Sequence, residues 1–475
     1  MWVVVYLSAV ILVVVTQWVY RWRNPKCKGL LPPGSMGFPI IGESIQYFSS
    51  HPLEGIHPFI NKRTFRYGSL FRTSLVGQKV VFSTDPEVNH FIFQQEGKLF
   101  QLWYTESALK LTGKQGLTVH HGAFHRYLKN LILTLVSPQN LKASLLSEMD
   151  HLTRKHLHSW TALPKFDLKE ATETMIFKLV AKKVFSYGEK RAMELRHCYR
   201  AFIDGFFSFP LNIPGTAHHA SMRGRKNAIK LIKGTVEERR WMKQKQKHGD
   251  EDFLDYLLKE VDDETTFLTE QIAVDLMFVL LFATYETTSA AITLALNFLN
   301  KHPQALRQLQ DEQQKIVASR ENKDSPITWK EYKSMNFMHM VINETVRLGN
   351  IAPLILRKVM ADVQLKGYTI PAGWTVAVCP SSVHLSPDKY EDPLAFNPSR
   401  WNGEELHSAS KKFMAFGGGQ RLCAGADFAK LEMAILLHYL VTNYRWKVVE
   451  QGKIVRTPAL LFPNGFQIQL TSLTD

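Results

Sequence analysis

Cysteine is scarce in this chain: Cys27, Cys198, Cys379 and Cys423 are the only four in 475 residues, and they lie far apart. That distribution excludes a disulfide framework and suits a reducing compartment. Internal repeats are missing too, and only the polar stretch 319–326 reads as loose. The length allows two or three domains, but no second stiff linker divides it, so one large domain is expected after about residue 30. No H-E-x-x-H pattern occurs, so the spacing of His121 and His125 does not make a zinc pair. The formal charge of +15 is spread along the sequence without a basic repeat or an RNA-binding signature. Nucleic acid is therefore not expected as a partner, and an anionic membrane surface or an acidic protein fits better.

One absence is local. Trp2 to Tyr20 carries no charge and is nearly all apolar, which is about enough to span a bilayer. Arg21, Arg23, Lys26 and Lys28 follow it, so this flank should stay cytosolic. A cleaved signal peptide would place its positive charges first and end in small residues, and neither is seen. Leu31-Pro32-Pro33-Gly34-Ser35-Met36-Gly37-Phe38-Pro39 then reads as a stiff, extended linker. The expected layout is an anchor with basic flank over 1–28, a proline-rich hinge over 29–42, and one main body over 43–475.

What is present is concentrated near the C-terminus, in Phe416-Gly417-Gly418-Gly419-Gln420-Arg421-Leu422-Cys423-Ala424-Gly425. Glycines there allow a loop to fold tightly around one sulfur. The apolar spacing from Ala426 to about Tyr444 is helical, which puts Cys423 at a helix N-terminus, where a thiolate is favoured as nucleophile or metal ligand. Glu344-Thr345-Val346-Arg347 sets an acid and a guanidinium on one helix face, and Phe396-Asn397-Pro398-Ser399-Arg400-Trp401 follows. Upstream, Thr269 to about Lys301 is apolar almost all round, a rod of about 48 Å at roughly 1.5 Å per residue. Asp275 and Glu286 interrupt it, so it reads as a buried core helix and not a membrane span. Within it, Ala283-Thr284-Tyr285-Glu286-Thr287-Thr288 places an acid beside alcohols, a costly arrangement unless it has work to do.

The order of these motifs resembles the cytochrome P-450 family of haem-thiolate monooxygenases. The resemblance implies a mainly α fold with small β-sheets behind an N-terminal transmembrane helix. It implies haem b as cofactor, with Cys423 as the axial iron ligand. Phe416 would then pack beside the sulfur, and Arg421, His125, Lys129 and Arg357 would bind the haem propionates. His125 and Lys129 stand where the family pattern has Trp and Arg, and Gln420 where many members have Pro. Glu286 and Thr287 would deliver protons to oxygen bound on the iron. Thr284 replaces the usual glycine, beside the groove where that oxygen binds. Glu344, Arg347 and Arg400 would form a buried structural network.

The same resemblance implies electrons from NADPH through a cytochrome P-450 reductase, and an endoplasmic reticulum location with a single span. Around the loop Gly205–Thr216 the sequence is similar to the plant steroid and triterpenoid oxidases, the group related to brassinosteroid-modifying enzymes. That loop is apolar and followed by Arg223, Arg225 and Lys226, which suits contact with lipid. Positions expected to line an apolar pocket for a polycyclic substrate are Trp103, Tyr104, Phe206, Phe207, Ala283, Thr284, Ile351, Leu354, Leu461 and Phe462. Hydroxylation is the simplest outcome, and cleavage of a carbon–carbon bond in a sterol's aliphatic tail uses the same chemistry. An isomerase or lyase that needs no oxygen, and a non-enzymatic haem protein, are the other readings; retention of Thr287 and of the Glu286-Thr287 pair weighs against them.

Two hairpins are also expected. One joins Leu70–Val76 to Lys79–Ser83 around Gly77-Gln78, and the other joins Asp362–Ile370 to Trp374–Cys379 around Pro371-Ala372-Gly373. Thr328 and Glu331 spell a capping box.

Overall fold

The long helix runs Glu270–Lys301 with Thr269 as its cap, the Thr269 hydroxyl accepting the N–H of Ile272. Most of its side chains are buried, because apolar residues surround it on nearly every face and other helices pack against them. Helices Leu168–Phe185, Ala217–Gln244, Asn336–Gly349 and Ala426–Asn443 all pack on it. The computed structural model describes residues 2–473 other than 207, 209, 246–250, 405–410 and 458.

The fold is mainly helical with small sheets. The largest sheet has strands in the order Leu70–Leu75, Gln78–Ser83, Thr375–Val378, Ile355–Val359 and Phe100–Leu102. Its first pair is the expected hairpin, but the turn falls one residue earlier than expected, at Val76 and Gly77, both at positive φ, and Gln78 joins the strand. The second expected hairpin is wrong. Val363–Leu365 pairs with Tyr368–Ile370 around Lys366 and Gly367, while Thr375–Val378 joins the large sheet beside Gln78–Ser83 and Ile355–Val359. Lys366 and Gly367 hold φ of 49° and 80°, the left-handed pair a two-residue hairpin turn demands. The Pro371–Gly373 turn instead leads from the small ribbon into the large sheet. The Thr328–Glu331 capping box forms as expected.

Trp2–Arg23 is one helix of 22 residues with none buried, long and apolar enough to cross a membrane. The proline-rich segment after it is docked instead of free. Arg72 gives its backbone N–H to Pro33 O and its guanidinium to Pro32 O, both at 2.8 Å. Trp22 Nε1 donates to Met36 O at 3.3 Å, so the end of the anchor helix is tied to the same segment.

Candidate active site

The cysteine loop is built by close approach. Cys423 N–H donates to Phe416 O at 3.0 Å, and Gly417 N–H to Met414 O at 2.9 Å. Gly417 and Gly419 sit at φ 78° and 62°. A Cβ on Gly418 would lie 2.5 Å from the Phe93 ring, and one on Gly419 would lie 2.3 Å from the Phe93 carbonyl oxygen. The glycines thus let the end of helix Pro86–Gln94 press against the loop, a packing role beyond turning N–H groups inward.

Cys423 lies deep in the protein, yet its side chain is uncovered and opens onto the interior. The helix that follows begins at Ala426 with Gly425 as its cap, and the sulfur takes the Gly425 N–H. Burial pushes the thiol up from its usual range, while Gly425 and the Lys129 ammonium pull it back. The N–H at the helix start therefore acts in the direction that the spacing implies, against the effect of burial. Coordination to a cation would supply the missing stabilisation.

Around it lies a set of cations, with the Arg357 and Arg421 side chains buried and Lys129 half-buried. Arg421 Nε is 3.2 Å from Glu96 Oε1, and its Nη atoms donate to Leu117 O, His120 O and His121 Nδ1. Arg357, on strand Ile355–Val359, has Nε 2.5 Å from Glu96 Oε2, but the contact is not shaped as a hydrogen bond and the Nε–H stays unpartnered. Lys129 Nζ donates to Leu422 O at 2.9 Å and Gln420 O at 3.2 Å, clamping the cysteine loop from helix Gly122–Val136. Burial first, then Arg421, Lys129, His121 and Arg357, push His125 down to about 3, so its imidazole is neutral. Three cations against the single carboxylate of Glu96 leave two positive charges over. A ligand bearing two carboxylates fits that surplus, and haem b carries two propionates. Tyr104 shares the field of Arg357 and Arg421.

In the long helix, Ala283 and Thr287 are exposed although the residues around them are buried or half-buried, so one face of the helix is left uncovered at i and i+4. The Thr287 hydroxyl donates to Ala283 O at 2.8 Å. Thr284 points elsewhere: its hydroxyl bonds back to Leu280 O and Leu281 O, and it lines a small apolar cavity with Leu135, Val180 and Phe428. The Thr284 side chain is thus spent on its own helix and on this cavity. Glu286 turns the other way, to an ion pair with Lys169 at 3.0 Å. Lys169 also contacts Glu173, which Arg196 holds at 3.1 Å. Glu173 is pushed up to about 7, first by burial and against the pull of Lys169.

The chain belongs to the cytochrome P450 family. The family model described as Cytochrome P450 matches residues 32–469. The protein is 50% identical to cytochrome P450 87A3 of Oryza sativa subsp. japonica, over 96% of its own length and 88% of that protein. It is 41% identical to the beta-amyrin 16-alpha-hydroxylase CYP87D16 of Maesa lanceolata, over 99% of each. It is 39% identical to the cholesterol 22-monohydroxylase CYP90B52 of Paris polyphylla, over 95% of each. Among solved structures, retinoic acid-bound cyanobacterial CYP120A1 superposes with a TM-score of 0.83 at 28% identity, over 94% of this protein and all of that one. This P450 is accordingly a haem-thiolate monooxygenase that receives electrons from a reductase.

The remaining expected positions fall at several places around the P450 core. Phe206 packs on Phe202 and Phe282, Ile351 packs on the core beside Leu294, and Leu354 packs beside Phe71 and Phe82. Trp103 lies under the Lys358 ammonium at 5.2 Å, Leu461 is exposed, and Phe462 lines the polar cavity of Glu286. Phe207 lies outside the described residues. Glu344 and Arg347 are fully buried and doubly hydrogen-bonded at 2.8 Å, with Arg400 on Oε1 at 3.0 Å. Trp401 Nε1 and the Asn397 N–H complete the acid's partners. No motif flagged Glu96, Lys169 or Glu173; each is an ordinary charged residue until the fold brings it to its partner.

Proposed function

We propose that this P450 hydroxylates a triterpenoid or sterol at the endoplasmic reticulum membrane. The match that carries the reading is the one with the β-amyrin hydroxylase, which runs over 99% of both proteins, with the sterol relative beside it. Hydroxylase names among the relatives favour oxygen insertion over carbon–carbon cleavage and over an oxygen-independent isomerase or lyase. In this reading residues 1–28 anchor the protein, 29–42 hold the body to the anchor, and 43–475 form the catalytic domain. NADPH–cytochrome P450 reductase supplies the electrons. Exposed Leu211 and Ile213, in the loop between helices Glu189–Phe206 and Ala217–Gln244, meet lipid, where an apolar polycyclic substrate partitions.

Cys423 would hold the haem iron through its sulfur, and Arg357, Arg421 and Lys129 would hold its propionates, with neutral His125 and Phe416 beside them. When bound, the haem supplies reductive activation of molecular oxygen and oxidation of an unactivated C–H bond. The protein's own work is to position and to move protons. Lys129 and the loop carbonyls it holds fix the sulfur. Ala283 offers a small face to substrate, and Thr287, with its hydroxyl held on Ala283 O, presents an alcohol to the cleft. Glu286 carries protons inward from the polar cavity it lines with Lys169 and Glu173. Tyr104, Phe206, Ile351, Leu354 and Phe462 supply apolar walls, with Trp103 and Leu461 at the margin.

The test is substrate-induced spin shift and turnover by the full-length protein in reductase-containing membranes, using triterpenes, sterols, fatty acids and phenylpropanoids. Shifts and products confined to triterpenes or sterols support the reading; shifts confined to fatty acids or phenylpropanoids overturn the substrate class.

A further inference from the structure

Met414, two residues ahead of Phe416 in the cysteine loop, gives its backbone N–H to Nε2 of His384 at 3.0 Å. His384 is completely buried. Because Nε2 accepts, the ring proton sits on Nδ1, which donates to Asn350 Oδ1 at 2.8 Å. Asn350 ends the helix Asn336–Gly349 in the left-handed region, φ 37°, where Asn and Gly are the tolerated residues. Its Nδ2 donates to Arg347 O at 2.8 Å, so the amide caps the helix that carries the Glu344–Arg347 pair. Its own carbonyl accepts Nη1 of Arg456 at 2.9 Å, and Arg456 also holds Gly349 O. Arg456 is buried and pairs with no carboxylate among the described residues; its charge is met by the carbonyl end of this helix.

Two structural units meet at this residue. The segment Ile351–Leu354 starts immediately after Asn350, and Arg456 lies on Val455–Thr457, paired with the strand Ala459–Leu461 that leads to Phe462. On the other side, His384 reaches the loop that ends in Cys423. Every polar atom of the Asn350 amide group is used in holding these parts together.

We propose that Asn350 is a positioning residue that sets the cysteine loop, through His384, and the two pocket walls, through Arg456, in one register. This rests on the assignment of Cys423 as ligand and of those walls as pocket. Residues supporting a metal ligand commonly matter about 10–100-fold to metal affinity or activity when changed. Asn350→Gly keeps the left-handed backbone and the carbonyl that Arg456 holds, but removes both amide bonds. Asn350→Asp keeps the oxygen that His384 needs. Arg456→Lys leaves the His384 side untouched and loosens the pocket side.

The experiment uses the full-length protein in membranes, with the red-shifted Soret band of the reduced carbon-monoxide complex as one readout and the ratio of oxidised products as the other. Asn350→Gly is expected to lose the band about 10-fold faster than the parent, with Asn350→Asp close to the parent. Arg456→Lys is expected to change the product ratio with the band's stability unchanged. Parent-like band stability in Asn350→Gly, or a parent-like product ratio in Arg456→Lys, overturns the proposal. So does a uniform fall in haem content with neither readout altered per haem. Failure of the ligand assignment looks different, because Cys423→Ser would then keep the band.

Discussion

Glu286 Oε1 and Lys169 Nζ are 3.0 Å apart, an ion pair between the middle of the long helix and the first turn of Leu168–Phe185. Glu286 is thereby turned from the cleft that Ala283 and Thr287 face, toward a polar cavity of about 190 Å³ shared with Glu173, Arg196 and Tyr285. An acid at this position has water-accessible charge on one side and an alcohol one residue further along the sequence.

Glu286→Gln is expected to lower turnover per haem by about 10²-fold or more, the usual scale of acid–base delivery, while substrate-induced spin shifts remain. Thr287→Ala is expected to keep consuming NADPH while product falls and hydrogen peroxide rises. Product, NADPH and peroxide measured together check both; unchanged coupling in Thr287→Ala would remove the alcohol from the relay.

The glycines before the cysteine separate two kinds of obstruction. Gly418→Ala meets the Phe93 ring, whereas Gly419→Ala meets the Phe93 carbonyl and a left-handed φ. Both single variants are expected to lose haem. Adding Phe93→Ala should restore haem in part to Gly418→Ala and not to Gly419→Ala, as read by the carbon-monoxide band per unit protein. Equal rescue of both would contradict the packing described for this loop.

Glu432, in the helix after the cysteine, is buried, and burial alone pushes its carboxyl up to about 8 from an ordinary value near 4.5. Its folded form holds a proton that the unfolded form gives up, so this group lowers stability as pH rises from about 4.5 to about 8, and not beyond. The slope for one proton is about 1.4 kcal/mol per pH unit. Glu432→Gln should lack that slope, with a urea midpoint that exceeds the parent's increasingly from pH 6 to pH 8. Parallel midpoint curves would show that Glu432 is not buried as described.

Much of this is legible in the amino-acid sequence because the chemistry demands rare local patterns. A glycine run around one cysteine, an acid between alcohols in an apolar helix, and an E-x-x-R pair each carry a cost that only a specific environment repays. The second hairpin is not legible because Pro371–Gly373 looks like a stronger turn than Lys366-Gly367, whereas the sheet selects the strand by its neighbours. The direction of the Thr284 side chain is not legible, because the motif gives the position alone while the hydroxyl satisfies itself on its own helix. Glu96, Lys169 and His384 are invisible for a different reason. Each matters through a partner on another element, often hundreds of residues away, and nothing local marks it.

The most direct test of the account is a turnover of the reductase-reconstituted full-length protein under ¹⁸O₂ with a triterpene and sterol panel. One labelled oxygen atom in a hydroxylated triterpenoid or sterol is the predicted result, with product absent when NADPH is omitted. Product that forms without NADPH and carries no label, or labelled products from fatty acids alone, would contradict it.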